Sequence, residues 1–119
     1  MASILNEVKK VCGLAADYTA FDVDMIMHIN AVFSVLDQVG IGPEGGFFIS
    51  DDTEDWDDFE APDNQKNLAK SYMYLKVRFI FDPPATSFAI NAMKGQIEEF
   101  EWRLKDLREV ALYEEVIIP

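Results

Sequence analysis

The chain reads as an all-α domain, a small helical bundle. Three observations predict it. Apolar residues recur every three or four positions over most of the 119 residues instead of alternating. Glycines and prolines stand between those stretches, with Gly95 the exception. Half the residues are hydrophobic and 13% are aromatic, which is enough to build a core despite a net charge of -12. The length fits one domain.

The first helix is predicted over "SILNEVKKVCG". Ser3 caps it, Gly13 ends it, and Ile4, Leu5, Val8, Val11 and Cys12 supply the apolar spacing. Asp22 opens the second helix, which Gly40 stops. Its stripe is Ile26, Ile29, Phe33 and Leu36, widened by Met25, Val32 and Val39. Residues 40–63 form a long loop. "GIGPEGG" begins it, "FFIS" suits an extended piece, and "TEDWDDF" suits one helical turn capped by Thr53. Phe47, Phe48, Trp56 and Phe59 are expected to order it.

Asp63 or Asn64 caps the third helix, whose stripe is Leu68, Tyr72, Leu75 and Phe79. Its end, "YLKVRFIF", is also strand-like, but Pro83 and Pro84 fix the stop. Thr86 or Ser87 caps the fourth helix. Met93, Ile97, Phe100, Leu104, Leu107 and Ala111 form a packing seam along it. Gly95 inside this helix is explained if another backbone passes close. "YEEVIIP" breaks the seam, so the expected division is a helical domain over 1–112 and a C-terminal arm over 113–119.

Charge and motifs exclude several functions. Twenty-two acids face ten bases, so a phosphate grip on nucleic acid is not expected. Cys12 is alone, which leaves no intrachain disulfide and no cysteine-based zinc site. No signal peptide and no membrane-length apolar run are expected. His28 has no nucleophile or partner base suggested around it, and no cofactor is called for. An enzyme is rejected.

The most distinctive stretch is "DDTEDWDDFEAPD", residues 51–63, eight of whose thirteen residues are acidic. It fails as a calcium loop. Counted from Asp51, Trp56 falls where the sharp turn needs glycine and Pro62 where glutamate closes the site. A solvated acidic surface pinned by Trp56 and Phe59 is the better reading. Arg78, set among apolar residues, suggests a structural or interface ion pair with Asp82, four residues on, with Asp22, Asp24 and Asp37 of the second helix as alternative partners. Glu99 with Arg103, and Glu101 with Lys105, have the spacing of helix-supporting pairs.

Taken together, "AFDVDMIMHINAVFSVLDQVGIGPEGGF", "WDDF" and "YMYLKVRFIFDPPATSFAINAMKGQIEEFEWRL" resemble the head–tail connector (adaptor, or head-completion) proteins of tailed bacteriophages. The resemblance covers about residues 3 to 105. Its most specific piece is the helix ending "KVRFIFDPP" followed by the one ending "EFEWRL". It implies a structural virion protein at the neck, assembled in the host cytoplasm. It implies a ring, dodecameric in the virion, below the portal protein. That ring extends the DNA channel and meets the next neck or tail-completion protein, and DNA passes without specific binding.

The residues add two expectations. Tyr113, Val116, Ile117 and Ile118 form an apolar tag that contacts the portal or a neighbour. Asp51, Asp52, Glu54, Asp55, Asp57 and Asp58 are candidates for channel-facing or interface acids. The competing reading is a free acidic protein of the DNA-mimic type that binds a basic partner, with a calcium-binding module a distant third.

Overall fold

The structure, a computed structural model, describes residues 3–117. It contains four α-helices: α1 Ile4–Val11, α2 Asp22–Gln38, α3 Asp63–Phe81 and α4 Ser87–Ile117, with a single 3-10 turn at Trp56–Asp58 between α2 and α3. The all-α reading holds.

Local chemistry sets the helix ends. The Asn6 N–H donates to Ser3 Oγ at 2.9 Å, so Ser3 caps α1 as its sequence position implies. At the far end Leu14 N–H reaches Lys9 O and Gly13 N–H reaches Lys10 O, with Gly13 at φ +80°. The same pair of bonds closes α2, from Ile41 to Leu36 and from Gly40 to Asp37, with Gly40 at φ +82°. Both are Schellman ends, and both need a residue that tolerates the left-handed region. Asp82 leaves the helical region at φ -140°, ahead of Pro83, and α3 stops there. Thr86 Oγ1 accepts from Ala89 N–H and caps α4. Asp22 and Asp63 each turn out to be the first residue of their helix, not its cap.

α3 is the middle element. It packs against α1, α2 and α4. This widens its buried arc. Ala69, Tyr72, Met73 and Val77 lie deepest, and Leu68, Leu75 and Phe79, expected to form the stripe, are half-buried beside them. α2 buries Met25, Ile29, Val32, Phe33 and Leu36 as its periodicity requires. The α4 seam holds from Met93 to Leu104, while Leu107 and Ala111 are not among the residues packed on the core. Ile97 and Leu104 are buried, and Met93 and Phe100 pack against the core.

The molecule is a slab of 50 × 36 × 20 Å. α4, about 46 Å long at 1.5 Å per residue, accounts for the long axis. α1 packs on both α2 and α3.

Two expectations about α4 are corrected. No atom comes within 4 Å of a Cβ built on Gly95, so no backbone passes there and the glycine faces open space. The helical backbone also runs past Leu112 to Ile117. Losing a packing seam does not end a helix whose residues all favour or tolerate the conformation. Ile118 lies outside the described residues.

Candidate interaction surfaces

The acidic loop is ordered from within by its own carboxylates. Asp51 Oδ1 accepts from the Thr53 N–H (2.8 Å) and hydroxyl (2.6 Å), and these bonds hold its carboxyl below the usual range. The Glu54 carboxylate accepts from the Ser50 and Asp51 N–H groups. Asp55, not Thr53, caps the 3-10 turn. Its carboxylate takes the Asp57 and Asp58 N–H groups, and Asp58 returns the bond to the Asp55 N–H at 3.0 Å. Anionic acceptors suit this position, because the free N–H groups of a turn carry partial positive charge. Asp52 and Asp57 carboxylates, both exposed, accept no hydrogen bond among the described residues. Four of the six candidate acids are thus fixed in direction, and these two are free.

Beneath the acids lies an aromatic cluster. Phe33 of α2 packs on Phe47, Trp56 and Phe59 with ring centroids 5.0–5.7 Å apart. Trp56 Nε1–H donates to the Tyr74 hydroxyl at 3.2 Å, and that hydroxyl donates to Glu7 at 2.7 Å. This chain ties the loop to α3 and α1. The Ile4 N–H to Glu54 O bond and the bridge between Ser3 and Asp55 tie it to the start of α1. Asn30 of α2 grips the backbone N–H and C=O of Ile49 at 2.8 and 2.9 Å, doing for this extended piece what a strand partner would. Phe48, expected to help, is exposed; Ile41 and Ile49 are buried instead.

Two polar pairs inside the fold were not legible in the sequence. Lys9 is only 1% exposed, and its Nζ lies 2.7 Å from Asp22 Oδ1 and 3.0 Å from Ala16 O. It staples the α1–α2 connection. Its stem falls on the apolar face, a position the hydrophobic pattern leaves blank. Glu101 does not pair with Lys105. It accepts from the buried Tyr72 hydroxyl at 2.7 Å, with Lys76 Nζ 3.8 Å away. Nor do Glu99 and Arg103 form an ion pair among the described residues. Burial and their carboxylate partners raise the ionisation of Tyr72 and Tyr74 well above the ordinary phenol range.

Arg78 and Asp82 are both exposed, and no ion pair joins them among the described residues; Asp82 instead caps α3 by donating its N–H to Arg78 O. Both charges act on Cys12. Burial pushes its thiol up to about 11, with Asp82 adding to the rise and Arg78 opposing it.

Tyr113 is exposed near the end of α4. Val116 and Ile117 lie on the same helical backbone, and Ile118 is outside the described residues. α2 and α4 straddle Tyr72 and leave an apolar groove of about 270 Å³ lined by Val35, Val39, Trp102 and Leu104. A larger hollow of about 530 Å³ lies between α1 and Tyr74. No helix among the described residues is long and apolar enough to cross a membrane. Among the described residues no cluster of three or more carboxylate, histidine or cysteine groups is placed to hold a metal.

No curated protein and no solved structure matches the chain. A family model does: the one described as phage connector protein, over residues 4–111. The match spans α1, α2, the acidic loop, α3 and α4 as far as Ala111. The chain belongs to the phage connector protein family.

Proposed function

We propose that the protein is an adaptor subunit of the phage neck. It forms a ring below the portal, extends the DNA channel, and joins the capsid to the tail or to the next neck protein. The observation that carries this reading is the family match over residues 4–111. The slab shape and the anchored acidic loop support it. A subunit of a rigid ring needs surfaces that do not rearrange, and here the one long loop is pinned by buried aromatics and capped by its own acids.

In this reading the body is residues 1–112, and the contact arm, residues 113–119, begins within α4. Tyr113, Val116, Ile117 and Ile118 contact the portal or a neighbouring subunit. The acids at 51–58 face the channel, with Asp52 and Asp57 the freest to do so. A duplex carries one negative charge per ~1.7 Å of axis, so a negative wall repels it and keeps it sliding. Screening limits this effect to ~8 Å at physiological salt. Arg78 and Asp82, unpaired with each other within one chain, are available to pair across a subunit boundary. The ring is dodecameric, matching the portal.

The test is co-sedimentation with portal-bearing, DNA-filled capsids from which neck proteins are missing. The adaptor reading expects stoichiometric binding at the portal vertex. Binding that ignores the portal but tracks a soluble basic protein, and that falls steeply with salt, would instead support a free DNA mimic. Within the adaptor reading, an arm truncated at Leu112 should fail to attach.

A further inference from the structure

The distal part of α4 leaves the core and then meets the body again at one side chain. The seam packs as far as Leu104, and beyond it Leu107 and Ala111 are half-buried without joining the core. Between them stands Arg108, also half-buried. Its side chain lies across Gly40, where α2 ends. Arg108 Nε stands 2.8 Å, Cγ 3.2 Å and Cδ 3.3 Å from where a Gly40 Cβ would be. A side chain at position 40 would displace that stem. Gly40 therefore has two roles. Its φ of +82° closes the Schellman end, and its bare Cα makes room for Arg108. Gly13 closes α1 at φ +80°, yet nothing lies within 4 Å of a Cβ built there. The close approach does not come with a glycine helix end as such.

The seat of Arg108 is electronegative. α2 carries no basic residue in its last turn, so no charge of its own answers the partial negative charge at its C-terminus. Arg108 brings a cation there from another helix. Asp37 and Glu44 line the same hollow, of about 450 Å³, together with Gly42, Pro43 and Gly45. Neither carboxylate forms an ion pair with Arg108 among the described residues, so the attraction is shared between both acids and the helix end. Along α4 the charged neighbours of Arg108 are Lys105 and Glu109, one of each sign. One turn earlier, Leu104 and Lys105 border the apolar groove beside Val35 and Val39.

We infer that Arg108 is a latch. It holds the distal part of α4 to the end of α2, and so fixes the direction in which that helix carries Tyr113 and the residues after it. α4 runs about 20 Å past Leu104, and a helix held at its base alone swings at its tip. A contact one turn past the seam removes that swing. The latch acts within one chain, so it stands independently of the adaptor reading. Under that reading it aims the contact arm.

The experiment measures direction and local opening in the isolated protein. Asn67→Cys on α3 and Leu112→Cys on α4, both exposed, take spin labels in a Cys12→Ala background. The distance distribution between them should be narrow with Arg108 present and broaden about twofold or more in Arg108→Ala. Amide exchange over 105–113 should speed up at least about fivefold, with 97–104 unchanged. Arg108→Lys keeps both stem and charge and should restore most of the narrow distribution. Arg108→Met keeps the stem alone and should fall between Lys and Ala.

The two glycines separate the latch from backbone strain. Gly13→Ala and Gly40→Ala both force alanine into the left-handed region, but only Gly40→Ala should broaden the distribution. In an Arg108→Ala background Gly40→Ala should broaden it no further. If Gly40→Ala fails to fold, the Arg108 series decides by itself. An Arg108→Ala chain with unchanged distribution and unchanged exchange would overturn the inference. Equal broadening by Gly13→Ala and Gly40→Ala would overturn it too.

Discussion

Trp56→Ala tests whether the acidic loop is held by its aromatics. Trp56 is buried against Phe33, Phe59 and Tyr74. Truncation removes that packing and leaves a cavity at the centre of the loop's anchor. For a buried Trp the loss is about 3–5 kcal/mol. The lost Nε1–H bond adds little. The Tyr74 hydroxyl still donates to Glu7, so no donor is stranded. Total stability for a domain of this size is roughly 5–15 kcal/mol, so the change is a large fraction of it. The melting temperature should fall by on the order of 15 °C. Trp56→Phe keeps a ring in the cluster and loses one hydrogen bond, and should cost about 1–2 kcal/mol. Urea unfolding followed by circular dichroism gives both numbers. Limited proteolysis reports the loop directly, since cleavage within 51–63 should rise in Trp56→Ala before global unfolding. Asp57→Asn is the control and should stay within about 0.5 kcal/mol. A Trp56→Ala loss below about 1 kcal/mol, with unchanged cleavage, would refute the anchoring.

Three further outcomes are expected. Lys9→Ala leaves Asp22 partly buried without its cation and should cost about 3 kcal/mol, less in Lys9→Met, which keeps the stem's packing; urea midpoints check the order. Gly95→Ala should stabilise the isolated protein by up to about 1 kcal/mol, because the site is helical, open and free of close neighbours. A destabilised Gly95→Ala would mean that something does pack there. Stability should also fall as pH rises above about 9. The folded state holds the Cys12 thiol at about 11 against an ordinary 9.0, and raises Tyr72 and Tyr74 as well. Between those values the unfolded chain sheds protons that the folded chain keeps, so the unfolded state gains on alkalinisation. Stability that is flat from pH 8 to 11 would contradict this. Native Cys12 should likewise resist thiol reagents at pH 8, where only about one thiol in a thousand is ionised.

Periodicity placed the helices because each buries a continuous apolar line. The α2 stripe and the α4 seam as far as Leu104 packed as spaced. It misjudged α3, where three partners turn a stripe into a broad arc, and it missed Lys9, since a buried lysine looks like a surface one in a string of letters. The acidic loop was legible as ordered and anchored through Trp56 and Phe59. Its cap was not, because Thr53 and Asp55 are both good N-cap residues and only the Asp58 bond decides between them. The Glu101 partnership with Tyr72 spans two helices and has no local signature. Trp102 lies off the expected α4 seam, and the structure leaves it exposed.

The adaptor role is tested most directly by imaging the neck of particles that contain this protein. The expected result is a closed ring of this chain seated on the portal, with residues 51–58 lining the channel. A particle whose neck lacks the chain, or a ring in which residues 51–58 sit on the outer rim, would contradict the role or the channel assignment, respectively.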